Sequence, residues 1–188
     1  MVNSKDKTLK IIMTGLMMAM ITVVTAILPI PIPFGPGYVH LGDAVIFLSV
    51  LILGWKYGAV AAGVGSALAD VILSYVIWAP WTLCVKGLMA VIMGLFISLS
   101  MKRQGKKIFG VPVYQMIGMI LGGLEMVIGY YFAEGVIYGN FAAPVLSIPW
   151  NIMQFVVGLV IASIVAAMLY KTPAKKFFAY APIERISS

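Results

Sequence analysis

Charge is what this sequence has least of. Only 10% of its 188 residues are Asp, Glu, Lys or Arg, against about a quarter in an ordinary soluble domain, which excludes a chain that surrounds its core with a water-facing shell. Cysteine is nearly absent too. Cys84 is alone, so no internal disulfide can form, and no second thiol or histidine stands near it at metal-ligand spacing. Redox and zinc chemistry are not expected, nor any cofactor. Gly-x-x-x-x-Gly-Lys, His-Glu-x-x-His, Gly-x-Ser-x-Gly and Cys-x-x-Cys patterns are all missing, which excludes P-loop nucleotide binding and leaves no catalytic constellation. If the chain moves a solute uphill, the energy must come from a partner or an ion gradient.

What is present is apolar. Hydrophobic residues make up 62% of the chain and the mean hydropathy is +1.06, so most of the surface must face membrane lipid. At about 20 residues per span there is room for five to seven helices and no sizeable soluble domain. A single transmembrane domain over residues 1–188 is expected, an all-α integral membrane bundle. The apolar segments are 9–28, 41–53, 57–76, 82–100, 113–132 and 148–170. The second is short for a bilayer, so it either begins earlier in the proline-rich loop before it or is shielded by protein. A basic stretch precedes the first segment as in a signal peptide, but no small-residue cleavage site precedes Pro29 and further spans follow; a retained helix is expected.

The net charge of +7 suggests topology and not nucleic acid, because the basic residues are scattered at span ends without interleaved aromatics. Lys5, Lys7 and Lys10 precede the first span, Lys56 follows the second, Lys102, Arg103, Lys106 and Lys107 follow the fourth, and Lys171, Lys175, Lys176 and Arg185 follow the sixth. The connections 29–40, 77–81 and 133–147 hold no Lys or Arg. Six spans with both ends in the cytoplasm satisfy this asymmetry.

A charged side chain inside a span costs about 2.5–3.5 kcal/mol on insertion scales, so each one present is a functional candidate. Asp43, Asp70, Lys86 and Glu125, with Asn151 and Gln154, all fall in the outer half of their spans and can converge on one cavity open to the outside. Lys86 either neutralises Asp70 or Glu125 as a structural pair or holds ligand. Tyr130, Tyr131, Tyr138, Trp78, Trp81 and Trp150 line the same depth, as a binding wall or as an interfacial belt. Asp43 either joins the site or caps the second helix. His40 and Tyr38 end a stiff apolar loop, residues 31–38, suited to a lid; His40 is otherwise an ordinary polar loop residue. Small residues recur every fourth position: Gly15 and Ala19 on the first span, and on the third Ala59, Gly63 and Ala67 in one row and Ala61, Gly65 and Ala69 in another. Such rows let helices approach closely, within the bundle or with another subunit.

The stretch Gly37-Tyr38-Val39-His40-Leu41-Gly42-Asp43-Ala44, followed by Gly54-Trp55-Lys56-Tyr57-Gly58-Ala59, Gly65-Ser66-Ala67-Leu68-Ala69-Asp70 and Ala79-Pro80-Trp81-Thr82 with Lys86-Gly87, resembles the substrate-binding S components of energy-coupling factor (ECF) vitamin transporters over nearly the whole chain. It is most similar to the branch associated with hydroxymethylpyrimidine or vitamin B6 compounds, whose relatives often carry a riboflavin-transporter label. The resemblance implies a six-helix S-component bundle in a prokaryotic plasma membrane. It also implies a small-molecule vitamin ligand, a transmembrane coupling (T) subunit and two cytoplasmic ATPases as partners, and no enzyme activity in the chain itself. In that family small residues on the first helix meet the coupling subunit, commonly as Ala-x-x-x-Ala; here Gly15 and Ala19 match with one substitution. Glu125, Lys86 and Asn151 are expected against the ligand, Asp70 or Glu125 accepting from a heterocycle edge. Gln154, Trp150 and Tyr131 are expected nearby, and His40 and Tyr38 at the lid. Two rival readings remain: a proton-coupled permease carrying protons on Asp70 and Glu125, and a non-transporting membrane protein, whose expected mark, a catalytic dyad, is missing.

Overall fold

The computed structural model describes residues 4–27, 29–31, 38–101 and 106–182, apart from the side chains of residues 4–6. Six long helices follow one another: α1 (Ser4–Ile27), α2 (Gly42–Leu53), α3 (Trp55–Ile72), α4 (Ala79–Ser100), α5 (Val113–Tyr138) and α6 (Ile148–Leu169). Two short antiparallel hairpins join them, β1 (Ile30–Pro31) with β2 (Tyr38–Val39) between α1 and α2, and β3 (Lys107–Ile108) with β4 (Val111–Pro112) between α4 and α5. By length and apolar character four helical stretches suffice to cross a membrane: Lys7–Ile27, Ala79–Ser100, Val113–Tyr138 and Ala143–Leu169. The shorter helix α2 is apolar, and α3 is diluted by alanine, glycine, Lys56 and Asp70.

Neighbouring helices run α1, α3, α4, α5, α6 and back through α2, which also touches α3 and α4. Helix α2 is buried along its length apart from Leu48 and Ile52, so protein shields it, one of the two explanations its shortness allowed. The two small-residue rows of α3 serve two neighbours. A Cβ on Gly63 would lie 2.7 Å from the Leu83 carbonyl oxygen of α4, and one on Gly65 would lie 2.8 Å from the Met18 carbonyl oxygen of α1. Thr22 of α1 donates to the Gly65 carbonyl at 2.8 Å across that second contact. Both rows therefore work inside the bundle. Gly15 and Ala19 do not: both are exposed, and nothing lies within 4 Å of a Cβ built on Gly15.

Two helix ends differ from the sequence expectation, and both shifts reshape the end of the bundle away from the basic residues. Helix α3 stops at Ile72 and not at residue 76. Ser74 adopts a left-handed φ of 66°, and the Tyr75 and Ser74 amides donate back to the carbonyls of Asp70 and Val71 at 2.7 and 3.1 Å, a Schellman closure. Helix α5 continues past residue 132 to Tyr138, where Gly139 takes φ 63° and the Asn140 amide reaches the Gly135 carbonyl at 3.1 Å. The residues 133–138, expected in a loop, are helical.

At the basic end, the segment after α6 folds back over the break between α2 and α3, where Gly54 has φ 80°. The amides of Ala179 and Tyr180 donate to the carbonyls of Ile52 and Leu51 at 2.9 and 3.3 Å. The Tyr180 hydroxyl donates to the Gly94 carbonyl at 2.9 Å and accepts from the Trp55 amide at 3.2 Å. Gln115 donates to the Tyr180 carbonyl at 2.7 Å while accepting from the Tyr170 hydroxyl at 2.9 Å. The tail thus satisfies backbone groups that two abutting helix ends leave open. Tyr180→Phe is expected to lower stability by about 1–3 kcal/mol, since it leaves the Trp55 amide at the start of α3 without its partner and removes the added bond to the Gly94 carbonyl, while leaving ligand affinity unchanged; thermal unfolding in detergent beside a binding titration checks both.

Candidate binding site

The helix ends opposite the basic residues enclose a small cavity, open at its mouth, lined by Tyr38, His40, Asp70, Trp78, Thr82, Tyr130, Glu134, Asn151 and Gln154. Five segments contribute, and each does so for a local reason. The β1–β2 hairpin brings Tyr38 and His40 in after α1. The closure at Ser74 sets Asp70 in the last turn of α3. Pro80 in the first turn of α4, where its missing N–H costs nothing, leaves Trp78 and Thr82 at the rim. Tyr130, Glu134 and Tyr138 recur every fourth residue along α5 and so share one face; Tyr130 and Tyr138 meet Trp78 at ring-centre distances of 6.5 and 6.2 Å. Asn151 and Gln154 sit three apart on the buried face of α6.

Beneath the cavity lies a network of polar groups sealed from solvent. Lys86 Nζ meets Asp43 Oδ1 at 2.5 Å, and neither side chain is exposed. The other Asp43 oxygen accepts from Gln154 Nε2 at 3.0 Å, and Gln154 Oε1 accepts from the His40 backbone amide at 3.0 Å. His40 Nδ1 accepts from the Gly42 amide at 3.0 Å and lies 3.4 Å from the Thr25 hydroxyl. One chain of contacts therefore ties α4, α2, α6, the first connection and α1. Above it, the Tyr38 hydroxyl donates to Asp70 Oδ1 at 2.6 Å, and the Tyr38 ring packs on Tyr75 at 4.9 Å. Asp70 Oδ2 and Glu134 Oε2 are buried without a hydrogen-bond partner among the described residues. With Lys86 already committed to Asp43, the lining holds two carboxylates and no cation.

Several sequence expectations change. Lys86 pairs with Asp43, not with Asp70 or Glu125, and its ammonium lies behind the cavity wall, 5.3 Å over the Tyr130 ring; spacing along the chain does not say which side of α4 faces α2. Asp43 does not act as a helix cap, because both its oxygens are taken by Lys86 and Gln154 and α2 has no side-chain cap. Glu125 is half-buried, its Oε2 is buried without a hydrogen-bond partner among the described residues, and it is not among the residues that line this cavity. It precedes Glu134 by two and a half helical turns, which points the two side chains to opposite faces at different depths. Tyr131 donates to the Phe141 carbonyl at 3.1 Å and packs on its ring at 6.0 Å. Trp150, one residue before Asn151, is half-buried and is not among the lining residues. Tyr38, His40, Asp70, Asn151 and Gln154 do come together. Glu134 and Thr82 were not singled out; the four-residue rhythm of Tyr130, Glu134 and Tyr138, followed by Gly139-Asn140 as a stop signal, was the available clue to Glu134. Most of the lid, residues 32–37, lies outside the described residues, as do Lys102, Arg103 and Arg185.

A bundle of apolar helices that holds a polar, aromatic-walled cavity at one end has the form of a site for a small solute. The comparisons make this specific. The model of the ECF-type riboflavin transporter S-component family matches residues 5–171, and the chain belongs to that family: it is a multi-pass membrane protein and a transport subunit, not an enzyme. A protein of Pyrococcus woesei described as an uncharacterized protein in the gap 3′ region is 39% identical over 151 residues, spanning 80% of this chain and 95% of its own length. The crystal structure of the S component for biotin from an ECF-type ABC transporter superposes with a TM-score of 0.72 over 92% of this chain and 96% of that one, at 16% identity. That likeness is one of fold.

Replacing Lys86 with Met should cost about 3–5 kcal/mol by stranding the buried Asp43 carboxylate; Lys86→Met with Asp43→Leu should recover most of that loss, as thermal unfolding of single and paired variants will show. His40, in the connection before α2, has its pKa lowered from 6.5 to about 4 by burial first and by the Lys86 charge second, with Asp43 opposing. Below pH 6.5 the unfolded chain therefore binds a proton that the folded chain refuses, and stability falls as the pH drops toward 4. Between pH 7 and 5.5 the melting temperature of the wild type should decline more steeply than that of His40→Gln.

Proposed function

We propose that this chain captures a small heteroaromatic vitamin or precursor of the hydroxymethylpyrimidine or pyridoxine type from outside the cell. Delivery across a prokaryotic plasma membrane then occurs as the S subunit of an ATP-driven ECF importer, with a transmembrane coupling subunit and two cytoplasmic ATPases. The observation that carries this reading is the pair of unpartnered carboxylate oxygens, Asp70 Oδ2 and Glu134 Oε2, in a cavity walled by Trp78, Tyr130 and Tyr38. Ionised carboxylates only accept hydrogen bonds, so they suit a ring bearing an amino group, a protonated ring nitrogen or hydroxymethyl donors, while the aromatic walls offer faces to stack on. The same pair disfavours an anionic ligand.

The orientation follows the basic residues: six spans, both ends cytoplasmic, the cavity facing out. The exposed Gly15 and Ala19 face of α1 is the surface offered to the coupling subunit. Riboflavin is the second reading, favoured by the description of the matching family. Its flavin edge carries carbonyl acceptors on both sides of one N–H and meets these carboxylates less well than an aminopyrimidine does.

Native mass spectrometry of the detergent-purified chain, followed by titration with hydroxymethylpyrimidine, pyridoxine, riboflavin and biotin, separates the readings. Glu134→Gln should weaken binding of the preferred heterocycle roughly ten- to hundredfold, the loss of a charge-assisted hydrogen bond, whereas Glu125→Gln should leave it within about twofold. The opposite ranking would move the site down α5, and a chain that binds riboflavin alone would overturn the pyrimidine assignment.

A further inference from the structure

The β3–β4 hairpin carries a feature that the ligand site does not use. Its turn is Phe109-Gly110, with φ of 50° and 84°, the two left-handed residues of a tight hairpin turn normally supplied by Asn-Gly or Gly-Gly. Phenylalanine is a costly choice there, and the side chain gains no internal packing in return, since Phe109 is 86% exposed. The base of the hairpin is nonetheless fixed. Val111 and Pro112 are buried, the Val113 amide donates to the Lys106 carbonyl at 3.0 Å, and a Cβ on Gly110 would come within 3.1 Å of Ala167 on α6. Exposed Lys106 and Lys107 flank the apolar tip formed by Ile108 and Phe109 on one side. Lys171, just past the end of α6, is also exposed.

Position supplies the partner. The hairpin lies between the end of α4 at Ser100 and the start of α5 at Val113, and the lipid-facing apolar surface of α4 runs out to Leu99, 80% exposed. A rigid aromatic tip held at that level, preceded by two exposed lysines, matches the headgroup layer of a bilayer: the ring enters the boundary of the acyl chains while the lysines meet lipid phosphates. We infer that the Lys106–Phe109 hairpin is an anchor for anionic phospholipid headgroups on the basic face of the protein, with the strained Phe109 as its apolar wedge.

Two measurements on the full chain test this. In neutral detergent, titration with phosphatidylglycerol followed by native mass spectrometry should show apparent affinity falling roughly fivefold for each lysine removed in Lys106→Gln and Lys107→Gln, and falling also in Phe109→Asn. Asparagine accepts the left-handed turn, so Phe109→Asn should melt at or above the wild-type temperature, separating anchoring from folding. In nanodiscs containing phosphatidylglycerol, a spin label on Phe109→Cys in a Cys84→Ser background should collide more with oxygen than with a water-soluble nickel chelate. Phosphatidylglycerol affinity unchanged in all three variants, or a label in water, overturns the anchor. A label shielded only after the coupling subunit and ATPases are added would assign the hairpin to a protein contact instead.

Discussion

The buried pair of Lys86 and Asp43 is the constraint on which the site depends. An ammonium and a carboxylate with no exposed side-chain surface are tolerable only together and only if their remaining hydrogen-bonding capacity is met. Gln154 meets part of it, and in doing so its own carbonyl is turned toward the His40 amide. The position of the first connection is thus an outcome of satisfying a charge inside the bundle. Asp43 also sits in the first turn of α2, where the helix dipole favours a negative charge, which helps explain why the acid is on α2 and the base on α4. The cavity then inherits two carboxylates without a counter-charge, because the one buried cation among the described residues has been taken.

Much of this was legible in the sequence because membrane proteins separate their signals by depth. The one-sided distribution of lysine and arginine, the breaks at Gly54 and after Pro29, and the gathering of polar residues toward one end all depend on position along a span, which residue counting measures directly. Azimuth is different. Whether Lys86 looks toward Asp43, Asp70 or Glu125 depends on how α4 is rotated against α2, α3 and α5, and that rotation is set by contacts such as Gly63 against the Leu83 carbonyl. Glu134 is hidden for another reason: it falls in the stretch 133–147 that the sequence presents as a connection, and only the longer α5 brings it to the cavity. The end of α3 is hidden in the sequence because Ser74 in a left-handed conformation is a stop that serine seldom signals.

The cavity and the basic end are built by opposite means. At the cavity end, polar side chains reach across between helices and leave carboxylate oxygens open. At the basic end, the polar traffic is backbone to backbone and backbone to tyrosine, and it closes: Tyr180, Gln115 and Tyr170 meet each other or an otherwise open main-chain group. Hydrogen bonding is thereby divided between an end with open acceptors and an end whose main-chain groups are met.

The folded-back tail has a bearing on how the molecule is made. The carbonyls of Leu51 and Ile52 belong to a helix that emerges early from the ribosome, yet their partners are the amides of Tyr180 and Ala179. Until translation has passed those positions, the junction of α2 and α3 carries open backbone groups at the membrane surface, where only water can serve them. Assembly of the bundle is therefore completed from its last residues inward, and a nascent chain halted before Tyr180 would hold all six helices without the contact that shuts its base.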